Sequence, residues 1–452
     1  MKQQRVGGYR WIVLAMIFIV YMIAGADRAN IGVVVPYMKS EFHLSNTDIG
    51  SLTSLFYLTY AAVQIPSGYL FGKLGTRGIF VGSVLLTSLS TLATGVVSSV
   101  FQLKAARALL GFAEGPINIG IVSTINRWFP AHEHGFAAGV FISAMKFAPA
   151  FVPPLCAYLV ITVGWRHVFT IFAVPGTLAA LLWLWLVRDD PARVARVSRE
   201  EADYIKGTGQ QQIQSAKGQA AGSIWFDKLI RGRSVEPLQS YGEILLSWNV
   251  WGCAMGYFFI VGITYTIMTW VPTYLVTVKH FSVMKMGAVA SAPWVGAIFG
   301  SLLGGWLSDR AFRQRRKPVM MITSLSTIAM MFAMLYAPND PVMLAGLFFL
   351  AGSLLNLGFS TFLVYPMGLV VKERVPFAAS IVNTCGSVGG AFAPFVVGVI
   401  LDKLDWNWVF GFLALLALLA FGILCSILEP LGRTSGAPIE EAAAQCSTAL
   451  SS

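Results

Sequence analysis

The chain has 452 residues, of which 56% are hydrophobic and only 12% charged, a balance that a soluble fold of this length could not bury. Its formal charge is +11, but the basic residues fall between apolar runs rather than in one patch, which argues against nucleic-acid binding. Its five cysteines show no CxxC spacing and four of them lie in apolar runs, which argues against a disulfide framework or a metal site.

Runs of about 20 or more apolar residues, the length that crosses a bilayer as a helix, fall near 11–36, 47–71, 78–99, 102–126, 136–163 and 167–187. The first is long and lacks a small-residue cleavage site, so it reads as a span and not as a signal peptide. Residues 188–245 are polar and Gln-rich, as in "GTGQQQIQSAKGQAAG". Within them Ser198 and Glu201 have capping-box spacing, which predicts a short helix from that point. Six more apolar runs fall near 246–276, 286–308, 318–337, 341–371, 377–401 and 407–428, and the tail after Glu429 is small, polar and expected to be disordered. The fold class is therefore an all-α membrane protein with twelve transmembrane helices in two six-helix halves. Residues 1–187 and 246–430 form the bundles, 188–245 the central loop and 431–452 the tail.

Lys and Arg set the orientation. With both termini inside, 23 of the 32 fall on the cytoplasmic side and five (Lys39, Arg166, Lys279, Lys285 and Lys403) outside, the other four lying in spans. A bacterial inner-membrane protein with both termini in the cytoplasm is expected. The halves also repeat: "VVPYM" resembles "WVPTYL", "SGYLFGKLGTR" resembles "GGWLSDRAFRQRRK" and "GWRHVF" resembles "DWNWVF", at offsets of 236 to 241 residues. Parallel six-helix repeats of this kind place a substrate site at their interface near the membrane midplane.

Charge inside a bilayer costs on the order of 3 kcal/mol per group and is a functional signal by default. Nearly all of it lies in the first half: Asp27 and Arg28 in span 1, Arg107 and Glu114 in span 4, Lys146 in span 5. Asp27 and Arg28 are neighbours in sequence and point about 100° apart on a helix, so each needs its own partner or a wet cavity. Glu114, in "GFAEGPINIG", has no local cation and small neighbours, which suits a proton carrier; Asp27 is the second proton-coupling candidate. Arg107 either joins this network or organises the outer end of span 4. Arginine's planar fork suits a carboxylate, so Arg28 is the expected substrate anchor. Lys146 lies too deep to reach water, and is expected to meet a substrate carboxylate or to pair with Asp27. Tyr57, Tyr60 and Gln64 share one stripe of span 2. The second half offers Tyr265, Asn356, Tyr365 and Asn383, neutral groups that can supply shape and hydrogen bonds.

"GYLFGKLGTR" (Gly68, Lys73, Arg77), "GWLSDR" (Gly305, Asp309, Arg310) and "RALLGFAEGP" (Arg107) resemble the conformational motifs of the major facilitator superfamily. Gly72 stands where that pattern has an aspartate. "ADRANIGVVVPYM", "YAAVQIPSGYL", "RWFPAHEHGFAAG" and "VSREEADYI" are similar to the anion:cation symporter branch, which includes bacterial galactonate, glucarate, hexuronate, tartrate and phthalate permeases. The resemblance implies alternating access, no cofactor and no enzymatic step, and it puts Tyr60 in the pocket and Asn383 opposite it. An amide is usual at the position of Lys146 in galactonate-like members, so the lysine is a departure. The expected function is a proton-coupled symporter that is active as a monomer and imports a small organic anion, foremost a sugar acid (aldonate, aldarate or uronate). Phthalate or tartrate is the alternative substrate. A proton-driven drug exporter is the alternative of another class, disfavoured because cavity cations repel lipophilic cations.

Overall fold

The computed structural model describes residues 8–130, 133–194, 196–206, 230–371 and 374–431. The Gln-rich tract at 207–222 and the tail from 432 lie outside them. The first half comprises α1 (Tyr9–Phe42), α2 (Asn46–Leu74), α3 (Arg77–Val96), α4 (Val100–Trp128), α5 (His134–Val163) and α6 (Trp165–Leu186). The central segment holds α7 (Arg199–Lys206) and α8 (Tyr241–Leu246). The second half comprises α9 (Trp248–Thr277), α10 (Val283–Trp306), α11 (Lys317–Leu335), α12 (Pro341–Asn356), α13 (Phe359–Val364), α14 (Val375–Lys403) and α15 (Trp406–Ser426). Among the described residues eleven segments are long and apolar enough to cross a membrane, α12 and α13 counting as parts of one. The twelfth is α2, as long as α4 and packed between α4 and α14. The chain is thus a multi-pass membrane protein of two pseudo-symmetric six-helix halves.

Equivalent contacts recur in the two halves. A Cβ on Gly111 of α4 would lie 2.1 Å from the Phe56 carbonyl oxygen of α2, and one on Gly352 of α12 would lie 1.9 Å from that of Pro293 on α10. In lipid, where helices gain nothing by burying apolar faces against each other, such close backbone approach is a main source of association. Asp189, just past α6, accepts the backbone N–H of Thr76 and Arg77 at 3.0 Å each. Its counterpart Glu429, just past α15, accepts those of Arg316 and Lys317 at 2.8 and 2.7 Å. Each carboxylate satisfies free N–H groups at the start of a helix, α3 in one half and α11 in the other.

Three features depart from a simple reading of twelve continuous helices. The expected span 341–371 is interrupted after Asn356 and resumes at Phe359, then tightens into a 3-10 turn at Tyr365–Gly368. Gly358 sits where a Cβ would meet Thr323 Oγ1 at 2.7 Å, and Pro366 has no N–H to continue the helix. A π turn occupies Leu307–Ala311. Two short strands, Gly232–Ser234 (β1) and Glu429–Leu431 (β2), pair in parallel and tie the central segment to the second half. On the other side α7 begins as the Ser198–Glu201 spacing predicts, with Ser198 Oγ accepting from Glu201 N at 3.1 Å. It docks on the first half, where Glu201 accepts from Arg10 N at 3.0 Å and Tyr204 donates to Glu133 at 2.9 Å.

The face where α1 begins is here called basal and the opposite face distal. Contacts between the halves gather from the distal face to mid-depth: Asp402 on the first turn of α2, Thr53 Oγ1 to Thr269 Oγ1 at 3.1 Å, Gly32 against the Met268 carbonyl, and Gly287 against Pro153 and Ala157. Moving down α2, Tyr57 stacks on Tyr265 with centroids 4.1 Å apart, and Gln64 accepts from Asn383 Nδ2 at 3.3 Å. Among the described residues no hydrogen bond crosses between the halves basal to Gln64, and Gly68, Tyr69 and Leu70 are exposed. The two bundles meet at the distal face and part toward the basal one.

Candidate functional site

The intramembrane charges converge on α1. Arg28 Nε donates to Glu114 Oε1 at 2.8 Å, with Glu114 fully buried and the Arg28 side chain 6% exposed. Glu114 has no cation near it in sequence; its partner arrives from α1, 86 residues away. The guanidinium also lies over the rings of Tyr60 (5.0 Å), Phe56 (5.7 Å) and Tyr21 (5.8 Å). Arg28 Nη2 and Glu114 Oε2 have no hydrogen-bond partner, so each member of the pair keeps a free prong.

Asp27 points elsewhere, as neighbours on a helix must. It is 2% exposed, and its Oδ1 has no partner. Arg107, 3% exposed, reaches α1 by donating Nη1 to the Asp27 carbonyl oxygen at 3.4 Å, while its Nε and Nη2 are unpartnered. Glu114 and Arg107 share a helix face and do not bond. The α1–α4 interface therefore holds two acids and two bases joined by one direct ion pair.

Lys146 pairs with neither acid. Its Nζ donates to Asn356 Oδ1 and lies 4.0 Å from the centre of the Phe359 ring, both across the inter-half boundary. Of the two partners expected for Lys146, a substrate carboxylate or Asp27, Asp27 is not met in this state. Asn356 appears in the sequence only as one of several polar residues in apolar spans. Its part depends on the helix break, which brings Phe359 alongside it, and nothing local in sequence announces that.

Two cavities of about 20 Å³ each, room for a single water, flank Arg28. One includes Arg107, Thr53, Tyr57 and Tyr265 in its lining; the other includes Lys146, Tyr265, Trp294 and Phe359. Tyr265 from the second half thus closes both. Tyr60 packs on the Arg28 guanidinium, while Gln64 and Asn383 bond to each other one turn further toward the basal face. A larger apolar cavity lies within the second half between α9, α12 and α15, away from these charges.

Of the motif residues Arg107 belongs to this centre, whereas the others lie apart from it, at the basal face. Gly68 has open space where a Cβ would be. Lys73 Nζ stacks over Tyr69 at 4.5 Å, and Arg77 donates to the Leu184 carbonyl. The acid missing at Gly72 is supplied by Asp189, which pairs with Arg127 Nη1 at 3.3 Å besides accepting from Thr76 and Arg77. Gly75, at φ +82°, leaves room for it, since a Cβ there would sit 2.8 Å from Asp189 Oδ2. In the second copy Gly305 faces open space, Asp309 pairs with Arg316 at 2.6 Å, and Arg310 is exposed.

Comparison with known proteins fits this architecture. The family model described as Major Facilitator Superfamily matches residues 17–322 and 289–451. A probable galactarate/D-glucarate transporter of Escherichia coli K12 is 31% identical over 429 residues, covering 91% of this chain and 93% of its own. A D-galactonate transporter of Escherichia coli O6:H1 is 27% identical, covering 87% and 89%. A probable sulfoacetate transporter of Cupriavidus necator is 26% identical, covering 96% of each. Among solved structures, a bacterial homologue of the human lysosomal transporter Spinster, in an inward-facing and unoccupied conformation, superposes with a TM-score of 0.70 at 18% identity, covering 93% of this chain and 94% of its own. A D-xylose–proton symporter does so at 0.69 and 16%, covering 94% and 100%. At those identities the structures speak for the fold alone, but the family match spans nearly the whole chain. The chain belongs to the Major Facilitator Superfamily, a transporter and not an enzyme, and its relatives are those of the anion:cation symporter branch.

Proposed function

We propose that the chain is a proton-coupled symporter that imports a sugar acid by alternating access. The observation that carries this is the buried Arg28–Glu114 pair at 2.8 Å, open to a cavity and covered by Tyr60. With Glu114 ionised, its carboxylate occupies the guanidinium that would otherwise hold a substrate carboxylate. A proton on Glu114 removes that competitor and leaves Arg28 a free cation. Asp27, with an unpartnered oxygen beside Arg107, is the second proton site. Proton and anion then enter together and their charges offset each other on loading, so the halves can rock around the site. Tyr60, Gln64, Tyr265 and Asn383 supply hydrogen bonds for hydroxyl groups, and a site built for hydroxyls rejects analogues without them.

The excess of Lys and Arg at the basal face supports a cytoplasmic location for that face, hence both termini inside a bacterial inner membrane and a cleft open to the cytoplasm. We take residues 1–187 and 246–430 as the moving bundles of a functional monomer. The Tyr57–Tyr265 stack favours one second substrate class, aromatic dicarboxylates such as phthalate. Uptake of radiolabelled sugar acids into proteoliposomes with an imposed pH gradient tests the proposal. Glu114→Gln, which mimics the protonated state, should abolish concentrative uptake and keep counterflow exchange. Concentrative uptake by that variant places the proton carrier elsewhere.

A further inference from the structure

Lys146 is the buried charge that the symport scheme above leaves without an acid. It is 5% exposed, yet among the described residues its partners are neutral: the Asn356 side-chain oxygen and the face of Phe359. Asn356 is fixed in that role, because its Nδ2 donates to the Gly352 carbonyl at 3.0 Å and so turns Oδ1 toward the ammonium. An amide dipole and a ring face offset only part of the cost of a buried cation. Arg28 is different, since Glu114 already balances it. Both cations line the same cavity, with Gly25 on α1 keeping the wall low where a Cβ would meet Ala148 at 2.9 Å.

We propose that the transported anion carries two acidic groups, one at each end of a short chain, the first held by Arg28 and the second by Lys146. Lys146 is then the residue that selects dianions over monoanions of the same length. For sugar acids this means aldarates over aldonates, which differ only in a terminal carboxylate against a hydroxymethyl. Asn356 and Phe359 position the ammonium; the interruption between α12 and α13 places them there. This rests on the proposal that the chain moves an organic anion through the Arg28 site.

The test is a competition assay in proteoliposomes with a fixed inward pH gradient. Glucarate should outcompete gluconate by at least tenfold in the wild-type protein. In Lys146→Gln that ratio should fall to about one, and Lys146→Arg, which keeps the charge, should preserve most of it. A wild-type ratio near one, or one favouring gluconate, overturns the proposal without any variant having to fold. A ratio that survives Lys146→Gln overturns the assignment to Lys146. If no sugar acid competes, the substrate class proposed above falls. The matched pairs phthalate–benzoate and sulfoacetate–glycolate then put the same question to the same lysine, and a preference for the dianion that is lost in Lys146→Gln supports the inference while its absence overturns it.

Discussion

Asp402, in the last turn of α14, sits on the first turn of α2: its Oδ2 takes the backbone N–H of Thr47 at 2.8 Å and the Thr47 hydroxyl at 2.5 Å. Its Oδ1 takes the Asn46 N–H at 2.8 Å, and Asn46 in turn donates to the Leu401 carbonyl. An acid at a helix C-terminus opposes its own helix dipole. Here it serves the dipole of a helix in the other half, so the two bundles are joined at the distal face by a charge-assisted cap.

That cap should bias the alternating-access equilibrium. Asp402→Asn removes the charge and can accept at one oxygen only, at a cost of about 1–2 kcal/mol on the scale of other N-terminal caps. Since about 1.4 kcal/mol is tenfold in an equilibrium, the distally open state should gain roughly 5- to 30-fold. A cysteine placed at Thr269 should react correspondingly faster with an impermeant maleimide added from the distal side. Unchanged labelling assigns Asp402 a purely local role.

Arg28→Lys should weaken anion binding at least tenfold although the charge is kept. Arg28 meets Glu114 through Nε and leaves Nη2 unpartnered, a fork that a point-charge ammonium cannot reproduce. Calorimetric affinity of the purified variant for the best substrate is the measurement, and wild-type affinity would reduce Arg28 to a structural cation.

Spans, halves and the crowding of charge into the first half were legible because each is a local or periodic property of the chain. Partnerships were not. Glu114 has no cation near it in sequence because Arg28 lies on another helix, and the sequence leaves Lys146 between a substrate carboxylate and Asp27, whereas the break after Asn356 brings Phe359 under it. The missing aspartate at Gly72 reads as a weakened motif, whereas Asp189, just past α6, supplies the carboxylate. Which face is closed depends on small differences in packing between rigid bundles, a population that the amino-acid pattern does not encode.

Gly352→Ala should destabilise the fold, and Gly111→Ala should do so by a similar amount. In each, the new methyl would meet a carbonyl oxygen of the facing helix at about 2 Å, so α12 must lift from α10, or α4 from α2. Overpacking of this kind costs about 1–3 kcal/mol. Thermal unfolding in detergent should show a lower midpoint for both variants. A neutral result for one but not the other would mean that the two halves are not packed equivalently.

Glu429 makes the docking of the basal β-pair sensitive to pH. It is 1% exposed, and burial pushes its carboxyl up to about 7 against the opposing pull of the Arg316 and Lys317 N–H groups and of their charges. Arg231 on β1's flank meets it through the backbone, as its carbonyl accepts Glu429 N at 3.3 Å. A raised value means that the docked state holds the proton more tightly than the released one, for which 4.5 is the ordinary value. The stabilising contribution is therefore complete below pH about 4.5, declines as pH rises, and is lost above about 7, a span worth about 3 kcal/mol. Hydrogen exchange at Glu429–Leu431 and Gly232–Ser234, corrected for intrinsic rates, should accordingly speed up between pH 5 and 8. Glu429→Gln stays neutral throughout and can still accept one backbone N–H, so its exchange should be slow and flat across that range. A slope that persists in Glu429→Gln would assign the pH response to another group, and a flat wild-type profile would show that the carboxylate is ionised in the docked state at every pH tested.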